Sequence, residues 1–231
     1  MFNRLKKIPW KNLPRWLTGN RLHILMYHSI SANPADPHAI SPERFLKQMQ
    51  FLRDKRVLSL SDALTKLGTR EHISGDYVIT FDDGLLDFYT NALPILKDFG
   101  YPVTMFLPTA LVGKTSTWDS YDKTKPLMDW DQITECQQWN VTLGSHTASH
   151  SRLTELTDTG VNQELTLSLQ TLKANCSKFI PALAYPGGYY NESIAFHAKQ
   201  AGYLCALGAA SRWGNGPETD FFHLRRERFA L

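Results

Sequence analysis

The sequence predicts an α/β fold of parallel strands joined by helices, and two patterns carry that expectation. Short apolar runs recur at 23–30, 76–81, 101–107, 141–145, 182–186 and 203–208, each followed by polar or turn residues, as buried strands are. Between them lie segments with helical spacing, and strands separated by helices pair in parallel through right-handed crossovers. Six or seven such units fit either an open doubly wound sheet or a barrel shorter than the usual eightfold one, and periodicity leaves that choice open. In both architectures function gathers where strands end and loops begin.

The elements follow in order. After HILMYHSI at 23–30, Ser41 and Pro42 offer an N-cap and a first-turn proline to a helix that carries Phe45, Met49 and Leu52 on one face. DYVITF at 76–81 leads into a helix expected from Leu85 to Phe99, with Phe88, Ala92, Ile95 and Phe99 inward and Gly100 as its stop. YPVTMFL at 101–107 follows, and then Asp129 and Asp131 read as caps of a further helix. VTLGS at 141–145 precedes a helix at 161–175 with Leu165, Leu169 and Leu172 inward; ALAYP at 182–186 and YLCALG at 203–208 complete the series. No internal repeat, low-complexity tract or linker interrupts it.

With 231 residues, 42% of them hydrophobic and 12% aromatic, the chain can bury one sizeable core. We expect one domain over 22–231, preceded by a basic arm over 1–21. A net charge of only +3 argues against a nucleic-acid partner. Cys136, Cys176 and Cys205 are odd in number and form no CxxC pair, so they read as buried small hydrophobes. The arm sets Arg4, Lys6, Lys7, Lys11, Arg15 and Arg21 among Trp10, Leu13, Trp16 and Leu17. It is either an interfacial membrane contact or a solvated arm packing its tryptophans on the domain, and Pro9 and Pro14 interrupt any continuous helix. With no spanning run and no apolar signal region, the expected location is cytoplasmic, with peripheral contact at the inner face of the membrane as the alternative.

Thr80-Phe81-Asp82-Asp83-Gly84 places adjacent carboxylates at the end of a buried strand. They suit a site, or equally an ordinary turn in which one aspartate caps the next helix. Gly144-Ser145-His146-Thr147-Ala148-Ser149-His150 sets two imidazoles four residues apart just past another strand end, where one helical turn would bring both to one metal. Such pairs also occur on polar surfaces. Taken together, one carboxylate and two histidines make a facial set with open positions, which means catalysis rather than structure. The second carboxylate can then serve as general base.

At these residues the chain resembles the NodB-like polysaccharide deacetylases, carbohydrate esterase family four, whose motifs TFDDG and HTxxH are both present and in order. The wider pattern, ILMYHSI, ISPERFLKQMQFL, LSLSDAL and MDWDQI, looks like the poly-N-acetylglucosamine deacetylase branch, and the likeness covers nearly everything after residue 22. It implies a distorted (β/α) barrel of about seven parallel strands. It also implies Asp83, His146 and His150 as ligands of a divalent metal, zinc in the first place with Co2+ or Ni2+ as alternatives, and Asp82 as catalytic base.

His28 matches a first-strand histidine that does, in that branch, the work of a C-terminal Leu-x-His motif elsewhere. It would protonate the departing amine, or else be a structural histidine at the barrel mouth; His223 is its rival. Ala184-Tyr185-Pro186-Gly187-Gly188 departs from the usual third motif by lacking its arginine and by carrying glycine in place of the later aromatic. The Gly187 amide can still hold an oxyanion, or Pro186-Gly187 is a simple turn. Tyr185, Tyr189 and Trp130 are the candidate substrate-contacting aromatics, with core or rim packing as the plainer reading for Tyr189 and Trp130. Arg226, in a closing Leu-x-Arg segment, is expected on the Asp82 side.

The implied reaction is metal-assisted hydrolysis of an acetamide, removing acetyl groups from N-acetylated amino sugars of a bacterial polysaccharide or glycolipid precursor. A carbohydrate is thus the expected partner. No GxSxG elbow and no cysteine beside a histidine supports a covalent route. The rivals are an O-acetyl carbohydrate esterase and a non-catalytic glycan-binding protein, against which the intact Asp82 speaks, since pure binding needs no base. The sugar, its linkage and the oligomeric state are not written in the sequence.

Overall fold

Inward and outward residues alternate along each principal strand, and that alternation builds the molecule. The computed structural model describes residues 19–118, 124–210 and 214–229; the basic arm, up to residue 18, lies outside them. The strands are β1 (Leu22–Tyr27), β2 (Ser29–Ile30), β3 (Ala39–Ile40), β4 (Arg56–Val57), β5 (Asp76–Phe81), β6 (Val103–Leu107), β7 (Val141–Ser145), β8 (Phe179–Ala184), β9 (Cys205–Ala210) and β10 (Leu224–Arg226). Seven of them form one parallel series in the order β1, β5, β6, β7, β8, β9, β10. β4 pairs with the first two residues of β5, ahead of the point where β6 joins at Ile79. Beyond β10 the chain turns back on β1: Glu227 bridges Leu25 in parallel, the Met26 N–H donates to the Glu227 carbonyl (2.9 Å), and the Glu227 N–H donates to that of Ile24 (2.8 Å). The result is a nearly closed barrel of seven parallel strands, which decides between the two architectures that periodicity left open.

Leu22, Ile24, Val78, Phe106, Ala182, Ala184, Cys205, Leu207 and Leu224 form the inner cluster. Leu60, Ala63, Leu64 and Leu67 of α2 (Leu60–Gly68) cover the end where the strands start. The interior is narrow: a Cβ at Gly144 would stand 2.6 Å from the Phe106 ring, so glycine there makes room for the phenyl group. The alternate residues face outward. Tyr27, Ile79, Phe81, Met105, Leu107 and Leu143 pack against α1 (Pro42–Phe51), α3 (Leu93–Phe99) and α4 (Trp130–Gln137). Leu183, Tyr185 and Ala206 pack against α5 (Asp158–Asn175) and α6 (Glu192–Gln200). Among the described residues no helix is long and apolar enough to cross a membrane.

Local signals set the boundaries. Ser41 caps α1 through the Arg44 N–H with Pro42 in the first turn, and Asp129 forms a capping box with Gln132 at α4, with Asp131 in the first turn. The helix expected from Leu85 to Phe99 is present over residues 86–99, with a π-turn inside it. The π-turn occupies Phe88–Ala92, the Leu93 N–H reaching back five residues to the Phe88 carbonyl, and α-helix resumes at Leu93. Pro94 is the local cause, because it has no N–H to give to a preceding carbonyl. Gly100, at φ 67°, ends the helix as expected. The run at 23–30 divides at His28: β1 belongs to the barrel, whereas β2 pairs with β3.

Phe81 ties the outer layer together, stacking on Tyr27 (5.1 Å between centroids) and meeting Phe45 and Phe88 edge-on at 5.8 and 4.8 Å. Truncation of this fully buried ring in Phe81→Ala is expected to cost about 3–5 kcal/mol, read as a lowered denaturant midpoint at unchanged m-value.

Candidate active site

The inward register of β1, β5, β7, β8 and β10, continued by one step of two residues beyond the last inward side chain, brings the site together. Ile24 and Met26 lead to His28; Val78 and Thr80 to Asp82; Gly144 to His146; Ala182 and Ala184 to Pro186; Leu224 and Arg226 to Arg228. His28, Asp82, His146, Pro186, Arg226 and Arg228 all line one cavity of about 550 Å3 at the C-terminal mouth of the barrel.

Arg226 is 2% exposed and grips Asp82 with both arms of its guanidinium: Nη1 donates to Oδ1 (2.6 Å) and Nη2 to Oδ2 (2.7 Å). Its Nε donates to the Gly208 carbonyl at 2.9 Å, and its carbon lies 5.6 Å from the Phe106 ring centre. The expected pairing is therefore present, and it is bidentate. Burial alone would raise the pKa of Asp82, but Arg226, and after it His146, outweigh burial and hold the carboxyl below its ordinary value.

Asp83 stands at the centre of a γ-turn, with φ of 71°, in which the Gly84 N–H donates to the Asp82 carbonyl (3.0 Å). Gly84 follows at φ 67°, where a Cβ would stand 2.5 Å from Leu107 Cδ2. This turn sends the two adjacent carboxylates different ways: Asp82 to Arg226, Asp83 to the histidines. Asp83 Oδ1 is 3.5 Å from His146 Nε2 and 3.3 Å from His150 Nε2, and it has no hydrogen-bond partner among the described residues. Burial opposes its charge; the facing imidazoles, His150 first, outweigh that and keep its pKa well below the usual range.

His146 Nδ1 donates to the Ala184 carbonyl (2.7 Å), so its Nε2 is the nitrogen that faces Asp83. Burial pushes its pKa down to about 4, leaving a neutral ligand at neutral pH. One ligand atom from each of Asp83, His146 and His150 lies within 4.8 Å of the others. A buried carboxylate oxygen without a donor, beside a neutral imidazole already oriented from behind, is what a divalent cation would satisfy; the donor set fits a metal. The route to it is not the expected helical turn. Thr147 and His150 both have left-handed backbone, at φ 64° and 60°, and it is this loop that folds the second imidazole back onto the first.

His28 reaches the cavity with Nε2 3.8 Å from Asp82 Oδ2 and stacks on His38 at 5.0 Å. His223 does not line the cavity; it lies 3.4 Å from Glu192 and 3.7 Å from Asp220 on another face. Gly187 lines the cavity at φ 63°, and Gly188 follows at φ 73° with Ala209 2.1 Å from where its Cβ would be. Left-handed backbone and that close approach account for glycines here.

The aromatic assignments need correction. Trp130 packs on the outer core at the start of α4 and does not line the cavity. The indole at the wall is Trp118, stacked on His150 at 4.0 Å and 17°. Tyr189 is 51% exposed, lies outside the lining and sits beneath the Arg152 guanidinium at 4.5 Å. Tyr185 does line the wall, but its hydroxyl donates to the Phe222 carbonyl (3.1 Å) and its ring stacks on Tyr190. Sequence reasoning also passed over His38, Arg152, Glu155 and Arg228 at the rim, none of which lies in a motif.

Removing the guanidinium leaves Asp82 buried and without its counter-charge. Arg226→Ala is expected to lose about 3–5 kcal/mol in denaturant unfolding, with Arg226→Lys falling between it and the parent.

Comparison with known proteins agrees with this architecture. A family model described as polysaccharide deacetylase matches residues 70–206. YxkH of Bacillus subtilis, named as a polysaccharide deacetylase, is 31% identical over 199 residues, covering 83% of this chain and 67% of its own. The poly-β-1,6-N-acetyl-D-glucosamine N-deacetylase of Staphylococcus aureus is 25% identical over 201 residues, covering 83% and 68%. The solved Streptococcus pyogenes deacetylase PplD, in complex with acetate, superposes with a TM-score of 0.78 at 26% identity, over 90% of this chain and 92% of that one. By matched motifs, barrel and relatives alike, the chain belongs to the polysaccharide deacetylase family.

Proposed function

We propose that this protein hydrolyses the acetamide of N-acetylated amino sugars in a polysaccharide or a glycolipid precursor. The observation that carries the proposal is the junction of two groups in one cavity: the Asp83, His146, His150 set, and beside it an ionised Asp82 held by Arg226. The name of the staphylococcal relative supports an N-acetylglucosamine polymer as the substrate class.

A divalent metal held by Asp83, His146 and His150, zinc in the first place, would supply Lewis acidity toward the acetyl carbonyl and toward water. The protein's own groups do the rest. Asp82 takes the proton of the attacking water, and Arg226, by fixing both carboxylate oxygens, sets the direction from which it does so. The Gly187 amide, on a left-handed turn at the cavity wall, steadies the oxygen of the tetrahedral adduct. His28 stands across from Asp82 and gives a proton to the departing amine as acetate leaves. Trp118 walls the cavity on the His150 side.

Acetate release from N-acetylglucosamine oligomers is expected to vanish with chelator and return with zinc; release from O-acetylated sugars alone would overturn the N-acetyl reading. Asp82→Asn is expected to keep metal yet lose at least about a hundred-fold in kcat. His146→Ala should lose the metal itself. His28→Ala should abolish turnover with metal retained, whereas His223→Ala should leave turnover near the parent's; the reverse pattern would exchange their roles.

A further inference from the structure

The loop that carries the two histidines is held from behind by a side chain that belongs to no motif. Glu164, on α5, accepts three hydrogen bonds from it: the Ala148 and Ser149 N–H groups both donate to Oε2 at 2.9 Å, and the Ser149 hydroxyl donates to Oε1 at 2.7 Å. One helical turn further along the same face, Ser168 Oγ lies 2.8 Å from Ser145 Oγ, at the end of β7. The Tyr203 hydroxyl, 2.9 Å from Ser145 Oγ, donates to the Leu165 carbonyl and closes that network. α5 therefore grips both the strand end before His146 and the segment between the histidines.

The grip has something to oppose. Thr147 and His150 are non-glycine residues with left-handed backbone, a conformation that persists only where its surroundings impose it. On the barrel side the segment between the histidines is held through its backbone, the Thr109 and Ala110 N–H groups donating to the Thr147 and Ala148 carbonyls at 3.2 and 2.8 Å. Those bonds hold the carbonyls of residues 147 and 148; Glu164 holds the amides of 148 and 149, next to His150.

We propose that Glu164 is a positioning residue: by fixing the Ala148 and Ser149 amides it imposes the strained turn that brings His150 Nε2 to Asp83 beside His146. This rests on the reading of Asp83, His146 and His150 as the metal set. The role does not require the charge on Glu164, only an acceptor at the right reach, and that separates it from a plain electrostatic effect.

The test is the zinc affinity of the full chain, by competition with a chromophoric chelator, together with the melting temperature of the metal-free protein. Glu164→Ala is expected to weaken zinc binding by about 10- to 100-fold, the usual consequence of removing an outer-shell support. Glu164→Gln keeps a carbonyl for the two amides and should stay within a few-fold of the parent. Glu164→Asp keeps the charge but withdraws it by one methylene, so it should bind like Glu164→Ala. Unchanged zinc affinity in Glu164→Ala with a lowered metal-free melting temperature would make Glu164 a mere pin for α5 and overturn the proposal alone. Failure of the parent to bind zinc, cobalt or nickel would overturn the metal reading and this proposal with it.

Discussion

Strand alternation in a narrow parallel barrel is the constraint on which the rest of this structure depends. A strand offers every second side chain to the interior, and an interior that needs glycine at position 144 to admit Phe106 is narrow. Its inward residues are mainly apolar, with Asp76 and Thr104 buried near the strand starts and Thr80 and Arg226 near the other end, and the next inward positions are those at the mouth. Chemistry is confined to one ring at one height. The same constraint separates Asp82 from Asp83, since neighbours in a strand face opposite ways and only a γ-turn lets both point to the mouth.

The site then depends on how the protein manages charge within that ring. Asp82 is nearly fully buried, and a lone buried carboxylate is costly. Arg226 offsets that cost with two parallel hydrogen bonds, and its own remaining Nε is committed to Gly208. Asp83, one residue on, receives no such donor; its oxygen faces two imidazole nitrogens instead. One turn of chain thus produces a carboxylate that is satisfied by protein and one that is not.

Much of this was legible in the sequence, and the residues show why. Adjacent aspartates and paired histidines past strand ends are local patterns, so Asp82, Asp83, His146 and His150 could be read directly, as could the caps Ser41 and Asp129. Arg226 was found through the closing Leu-x-Arg segment. What escaped is what depends on contacts between remote elements: Glu164 beneath the histidine loop, Trp118 upon His150, and Arg228 against His38 are ordinary residues in their own neighbourhoods. The spacing of the histidines was read as a helical turn, yet a loop with two left-handed residues closes the same four-residue gap. β10 is three residues long, too short for periodicity to announce it, although it closes the barrel.

The bond between Arg226 and Asp82 joins residues 144 positions apart. A contact of such long range carries the loop-closure entropy of the chain between its ends. Until β10 docks between β9 and β1, the barrel has an open seam and Asp82 lacks its counter-charge. Closure of the barrel and charge balance at its mouth are therefore one structural requirement: the strand that completes the ring also carries the guanidinium that Asp82 needs.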